Sequence, residues 1–490
     1  MFEKAAVSQL QLEDPGLQDA VARLLNQIGK QDSGWSSWAF RKVIMRLGSH
    51  SLIEYDHQNC TYSIHPLVHR WSSTTVGHRH DMQKLILAII TLSFSLAPTD
   101  ENFKYRRKLL KHTTNSIESV KLEELNPLVG AHISKIYSDA GRLREAELLQ
   151  VMVMEKRKQV LGDEHPDTLK SMEDIACTYW YQGRWSDAQA LYLMVLEKRK
   201  LVQGDGHSET LVTMEGLAIV YWSQARWSDA EALYIAVLEK RKLILGEDHP
   251  YTLGGMAHLA LTYLDQGRWK EAEALLVVVM EKMKRLLGED HPGTLAAMVN
   301  LANTYRYLGH LKDAESLEVM VMEKEKQLVG DGHPSTLTTT GNLARTYREQ
   351  GRLEEAEMLE VLVLEKRKLL LGDDHPNTLR TMLNLAVTYW KQGRWNDAEA
   401  LQVVTMEKMK RVLGDDHFYT LENMANLANT YRDQGRLKDA ETLSVEVIEK
   451  MKRVQGCDHP HTLKSMSSLS ATYRDLGCLE DAEGLEAVVE

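Results

Sequence analysis

The sequence has little cysteine, little proline and no long apolar run, and each shortage removes a class of protein. Four cysteines, Cys60, Cys177, Cys457 and Cys478, lie scattered with no CxxC pair, which suits reduced thiols in a cytosolic protein rather than a disulfide framework. Only ten prolines interrupt the 490 residues, so long helices are permitted. The longest apolar runs, such as Leu85 to Ile90 and Ala274 to Met280, are far too short to span a bilayer, and the opening stretch MFEKAAVSQLQLEDPG has no apolar signal core. The expectation is a cytoplasmic chain with no membrane partner. Basic charge is also in deficit: a formal charge of −11 and a pI near 6.0 give no general attraction to phosphate backbones, so no nucleic-acid partner is expected. No GxxxxGK loop, no GxGxxG after a strand and no GxSxG elbow occurs, which leaves no machinery for an enzyme and no cofactor to expect.

What is present is a period. Histidines at 165, 207, 249, 291, 333, 375, 417 and 459 stand 42 residues apart without insertion or deletion. Tyrosine keeps that period from Tyr137 to Tyr473 and alanine from Ala146 to Ala482. One structural unit is therefore repeated, and such arrays bury their cores between neighbours and work as binding surfaces. The unit reads roughly HPxTLxxMxNLAxTYxxQGRxxDAExLxxxVxEKxKxxLGDD, two helical periodicities about a glycine. Proline after histidine suits the first position of helix A, and Met382, Leu385, Ala386 and Tyr389 lie on one apolar face. Glycines such as Gly183, Gly351 and Gly477 close helix A in the left-handed region, and only Ala225 breaks that series, which predicts a slightly strained turn. Helix B carries the small alanine and ends in a basic run such as Glu365-Lys366-Arg367-Lys368, read as a solvated face matched to the helix dipole.

Tyrosine and alanine nine residues apart with glycine between them resemble the tetratricopeptide repeat. The longer form with LGDDHPxTL and NLAxTY resembles the repeats of kinesin light chains and of fungal NLR-like STAND receptors. The resemblance implies an all-α fold, a right-handed α-solenoid of about nine helical hairpins over 129–490, with helix A lining a concave groove.

Eight histidines invite a metal reading, but packed helices lie roughly 8–10 Å apart, so equivalent histidines cannot share one ion. They read as turn residues, and no metal is expected. The pair His65 and His69 has Pro66 where a metalloprotease helix needs glutamate. Positions that vary between units carry more information. Nine residues after each histidine come Asp174, Gly216, His258, Asn300, Asn342, Asn384, Asn426 and Ser468. In tetratricopeptide proteins this position faces the groove, and asparagine there holds a bound peptide. With Asn303, Arg345 and Asn429 three residues later and Arg380 four earlier, a donor-rich strip for a protein or peptide ligand is expected. The competing reading has these asparagines bonding across to adjacent helices. At the fifteenth position Trp180, Trp222 and Trp390 are candidate aromatic anchors, or simply packing between hairpins.

Before residue 129 the period vanishes. The order helix, strand pair, helix over about 36 to 71 resembles the winged helix that ends the nucleotide-binding module of those receptors, which gives a winged-helix-like piece at 1–77 and a helical linker at 78–128. The resemblance makes His65 a vestigial nucleotide sensor, with Pro66 in place of the motif's aspartate. The last unit stops at Glu490 in the middle of helix B and leaves Leu485 and Val488 uncapped, an end that could self-associate or belong to a fragment. The expected function is a non-catalytic interaction scaffold, the sensor region of an NLR-like receptor; the alternatives are a kinesin-light-chain-like cargo adaptor, part of a signalling NTPase, or a structural spacer.

Overall fold

The computed structural model describes residues 124–489 continuously, scattered positions between 109 and 121, and the backbone of one strand pair. The chain forms two compact units, Met1–Ser171 and Met172–Glu490. In the first, β1 (Ile53–Asp56) and β2 (Thr61–Ile64) pair antiparallel with Ile53 opposite Ile64. That strand pair lies within the stretch read as winged-helix-like, whereas its flanking helices, His65 and most of the linker fall outside the described residues.

Nine hairpins follow among the described residues. Hairpin 1 comprises Pro127–Asp139 and Leu143–Leu161, hairpin 2 Pro166–Tyr181 and Trp185–Gln203, and hairpin 3 Ser208–Ser223 and Trp227–Leu245. Hairpin 4 comprises Pro250–Asp265 and Trp269–Leu287, hairpin 5 Pro292–Tyr307 and Leu311–Leu328, and hairpin 6 Pro334–Glu349 and Leu353–Leu371. Hairpin 7 comprises Pro376–Lys391 and Trp395–Val412, hairpin 8 Phe418–Asp433 and Leu437–Gln455, and hairpin 9 Pro460–Leu476 and Leu479–Val489. The fold is an all-α solenoid of tandem hairpins.

The local chemistry explains these bounds. The periodic histidine is the N-cap of helix A: its Nδ1 accepts the backbone N–H two residues on, at 3.2 Å for Tyr251, 3.1 Å for Gly293 and 3.1 Å for Asn377. Histidine is not among the residues usually favoured there, so the sequence identified a turn but not its cap. At the other end glycine takes positive φ, 75° at Gly183 and 81° at Gly351, and Ala225 takes 56° in the same place, the strained alanine expected from the broken series.

The small alanine near the start of helix B is fully buried in hairpins 2 to 9, from Ala188 to Ala482, which is what allows the two helices of a hairpin to approach closely. From Ser208–Ser223 onward each helix packs on the one before it, and helices A of neighbouring hairpins also touch, as in hairpins 4 and 5, 7 and 8, and 8 and 9. Helices A therefore lie on the inside of the curve. At the C-terminal end Leu485 and Val489 pack on Ile448, Met466 and Leu469, while Val488 stays exposed.

Candidate functional site on the inner face

Helix A has one face in the core and the opposite face on the inside of the curve. Asn300, Asn342, Asn384 and Asn426 are half-buried and occupy the same register in hairpins 5 to 8. None of the four amides takes part in a side-chain hydrogen bond; only their backbone carbonyls are used, as in Thr304 Oγ1 to the Asn300 carbonyl at 3.0 Å and Thr430 Oγ1 to the Asn426 carbonyl at 3.0 Å. Their polar groups are thus available to something outside the fold. Asn429 and Arg380 likewise form no side-chain hydrogen bond or ion pair. Two other members of the strip are engaged: Asn303 accepts from Arg306 at 2.9 Å, and Arg345 pairs with Glu349 at 3.1 Å.

Why the strip begins at Asn300 is visible in helix B. The residue beneath each of these positions comes from the preceding hairpin. Tyr192 fills the space at Gly216, where a Cβ would lie 2.5 Å from its ring, and the Tyr234 ring lies tilted against His258 with centroids 5.8 Å apart. From hairpin 5 onward the tyrosine is gone and asparagine takes over the inner face. Burial raises both tyrosine hydroxyls far above their ordinary pKa and lowers that of His258, so these three groups favour their uncharged forms. Toward the other end it is charged. Burial pushes the Glu422 carboxyl up, opposed by the charges of Lys464, Arg345 and Arg380, and the four residues together come from four successive hairpins.

The tryptophans have structural partners. The indole N–H donates to Ser223 Oγ from Trp180 at 2.7 Å, to Asp265 from Trp222 at 2.6 Å, and to Asp433 from Trp390 at 2.6 Å. Where arginine replaces tryptophan, Arg306 reaches Glu349 at 3.4 Å and Arg432 reaches Asp475 at 4.0 Å. In all five cases the partner lies 43 residues on, in the next hairpin. This position is a tie between hairpins in either chemistry, and the matched Ser, Asp or Glu was the signal for it in the sequence.

The basic end of helix B is not uniformly solvated. Arg199, Arg241 and Arg367 are buried; Arg199 bonds Glu173 at 2.9 Å, Arg241 bonds Glu215 at 2.7 Å, and Arg367 donates to Thr381 at 2.8 Å. The reason is periodicity: this residue falls on the core-facing stripe, and Met283, Met409 and Met451 hold the same place in other hairpins. A position that alternates arginine with methionine is a buried one. The lysines beside it remain outside and reach back to the preceding loop, Lys282 to Asp248 at 2.7 Å and Lys324 to Asp290 at 2.6 Å.

No group of three potential metal ligands occurs among the described residues, and no helix among them is long and apolar enough to cross a membrane.

Comparison with known proteins agrees with this geometry. Two family models described as tetratricopeptide repeat match the chain, one over 128–201, 209–281, 253–323 and 420–487, the other over 336–377 and 378–419. No curated protein matches. Among solved structures, a Podosopora anserina protein described as a kinesin light chain with nearly identical TPR-like repeats is 28% identical, over 42% of this chain and 98% of its own, at a TM-score of 0.37. BtubC (BKLC) from P. vanneervenii is 18% identical over 48% and 92%, at 0.38. A STAND protein with a tetratricopeptide repeat sensor from Pyrococcus horikoshii is 14% identical over 100% and 62%, at 0.44. With TM-scores below 0.5, these likenesses add nothing to the repeat assignment. The family models cover more than half of the sequence, and the chain belongs to the tetratricopeptide repeat family, whose repeats serve as scaffolds for protein–protein interaction.

Proposed function

We propose that the inner face of helices A binds an extended segment of a partner protein, with Asn300, Asn342, Asn384 and Asn426 as a ladder of amides and Asn429 and Arg380 beside it. One observation carries this: four equivalent amides, one per successive hairpin, have no side-chain partner within the fold. An amide can donate to a peptide carbonyl and accept from a peptide N–H, so a ladder of them reads backbone with little apolar burial. Asn303 and Arg345 would join only by giving up Arg306 and Glu349. The order of a strand pair followed by the array supports placing this face in the sensor region of an NLR-like receptor. No catalytic family matches, and the reading requires neither cofactor nor metal.

The test is capture of a partner by the wild-type chain beside the quadruple Asn300→Ala, Asn342→Ala, Asn384→Ala, Asn426→Ala variant. Since the amides support no internal hydrogen bond, the variant is expected to melt within about 1 kcal/mol of the wild type and to lose the partner. A partner held equally by both chains would move binding to the outer face or to the segment before residue 124.

A further inference from the structure

Within Met172–Glu490, hairpins 2 and 3 touch hairpins 8 and 9. His417 caps helix A of hairpin 8 by accepting the Tyr419 N–H at Nδ1, 3.1 Å away, and its Nε2–H donates to the Tyr181 carbonyl at 3.1 Å, 236 residues distant. His459 caps the next helix A through the His461 N–H at 3.3 Å, and the Ser223 backbone lies near enough to bear on its imidazole. Tyr181 and Ser223 are the last residues of their own helices A, where carbonyls lack intrahelical partners. Trp185 sits between the two sites, with its ring 6.4 Å from Phe418 and 6.2 Å from His459. Gly183 makes room, since a Cβ there would come within 3.3 Å of the His417 ring. The equivalent caps His207 and His291 stay exposed. One contact, repeated one hairpin later with the same offset, is a register and not an accident of one side chain.

Each pairing joins hairpin n to hairpin n+6, so the solenoid closes a full turn on itself. Neighbouring helices packed about 9 Å apart give six steps a circumference of about 55 Å; with side chains filling about 5 Å from each axis, an opening of about 8 Å remains. That admits an extended chain and excludes a helix about 10 Å across.

We propose that this contact is a latch that closes the inner face into a ring, so that an extended segment threads it while a folded partner enters only when hairpins 2 and 3 part from hairpins 8 and 9. The proposal rests on the inner face being the ligand face, but its test needs no ligand. Cys177 is exposed and lies on that face, in the register of Asn303 and Arg345. Its rate of alkylation by N-ethylmaleimide is compared with that by a maleimide tethered to a small folded protein, read by mass spectrometry of the Cys177 peptide. In the wild type the tethered reagent is expected to be strongly disfavoured. Trp185→Ala with Phe418→Pro removes the ring contacts and leaves both caps, because proline already fills this place in most hairpins. It should raise the tethered rate about tenfold and leave the small reagent unchanged. Trp185→Ala alone, which leaves Phe418 and both caps in place, should raise the tethered rate in the same direction by a smaller factor, which keeps the test decisive if the first variant folds poorly. Equal discrimination in all three chains would overturn the latch and leave the peptide-binding proposal standing.

Discussion

Glu318 offers a sharp test of how polar groups are buried in this array. Its side chain is fully buried in helix B of hairpin 5, accepts from Thr346 Oγ1 at 2.6 Å and lies 3.7 Å from Arg306. Burial pushes its carboxyl up from 4.5 to about 7, only partly offset by Thr346 and Arg306. A carboxyl whose folded pKa lies above its unfolded value adds stability that is complete below the unfolded value and disappears as pH rises through the folded one. The loss therefore develops between pH 4.5 and 7 and amounts to about 3 kcal/mol at higher pH. Glu318→Gln removes the charge and keeps the shape. The chain already contains the experiment, since Gln402 holds this place two hairpins later and accepts from Thr430 at 2.9 Å. The raised value already includes the attraction of Arg306, so the net gain is about 3 kcal/mol at pH 8, with no gain at pH 4. Glu360→Gln is the counterpart: Glu360 is also buried and raised even with Arg348 at 2.9 Å, so its replacement should act in the same direction, with a gain at pH 8 and none at pH 4. Thermal melts by circular dichroism from pH 4 to 8.5 would read both. A Glu318→Gln variant less stable than wild type at pH 8, with an unchanged pH profile, would refute the reasoning.

Three further outcomes are expected. Ala225→Gly relieves a positive-φ alanine and should stabilise the array by about 0.5–1 kcal/mol, read by urea titration. Arg199→Met alone strands the buried Glu173 carboxylate and should cost about 3 kcal/mol, whereas Arg199→Met with Glu173→Ala, the combination at Met283 and Ala257, should recover most of it in a double-mutant cycle. Burial holds His417 down to about 4 against an ordinary 6.5; its folded pKa is depressed, so the stability it adds is complete above 6.5 and disappears as pH falls toward 4. The protection factor of the Tyr419 amide, which His417 caps, should therefore fall through that window once the intrinsic pH dependence of exchange is divided out; constant protection there would rule the argument out.

Much of the hairpin was legible because it is local. Pro376 at a helix start, Gly393 in the turn and Ala398 in the close approach each act through backbone conformation or size within one unit, and repetition removed the ambiguity any single unit would leave. The site was legible only in part. Asn300, Asn342, Asn384 and Asn426 could be placed in one register, but whether their amides were free or bonded to neighbouring helices depends on what lies beneath them. A basic run near a helix end is normally solvated, which is the expectation for Arg367 in its EKxK run, while methionine at the same place in other hairpins points the other way.

By itself the sequence determined the repeat, its helices, their turns and the identity of the variable inner positions, since a strict 42-residue period forces equivalent residues into equivalent environments. Only the tertiary structure decided that Trp180, Trp222 and Trp390 tie hairpins together, that Glu318 is buried against Thr346, and that His417 meets Tyr181 across 236 residues. The physical reason is accumulation. The angle between successive hairpins is set by packing between units, and small angles that no single repeat encodes add up over six of them to bring distant residues into contact.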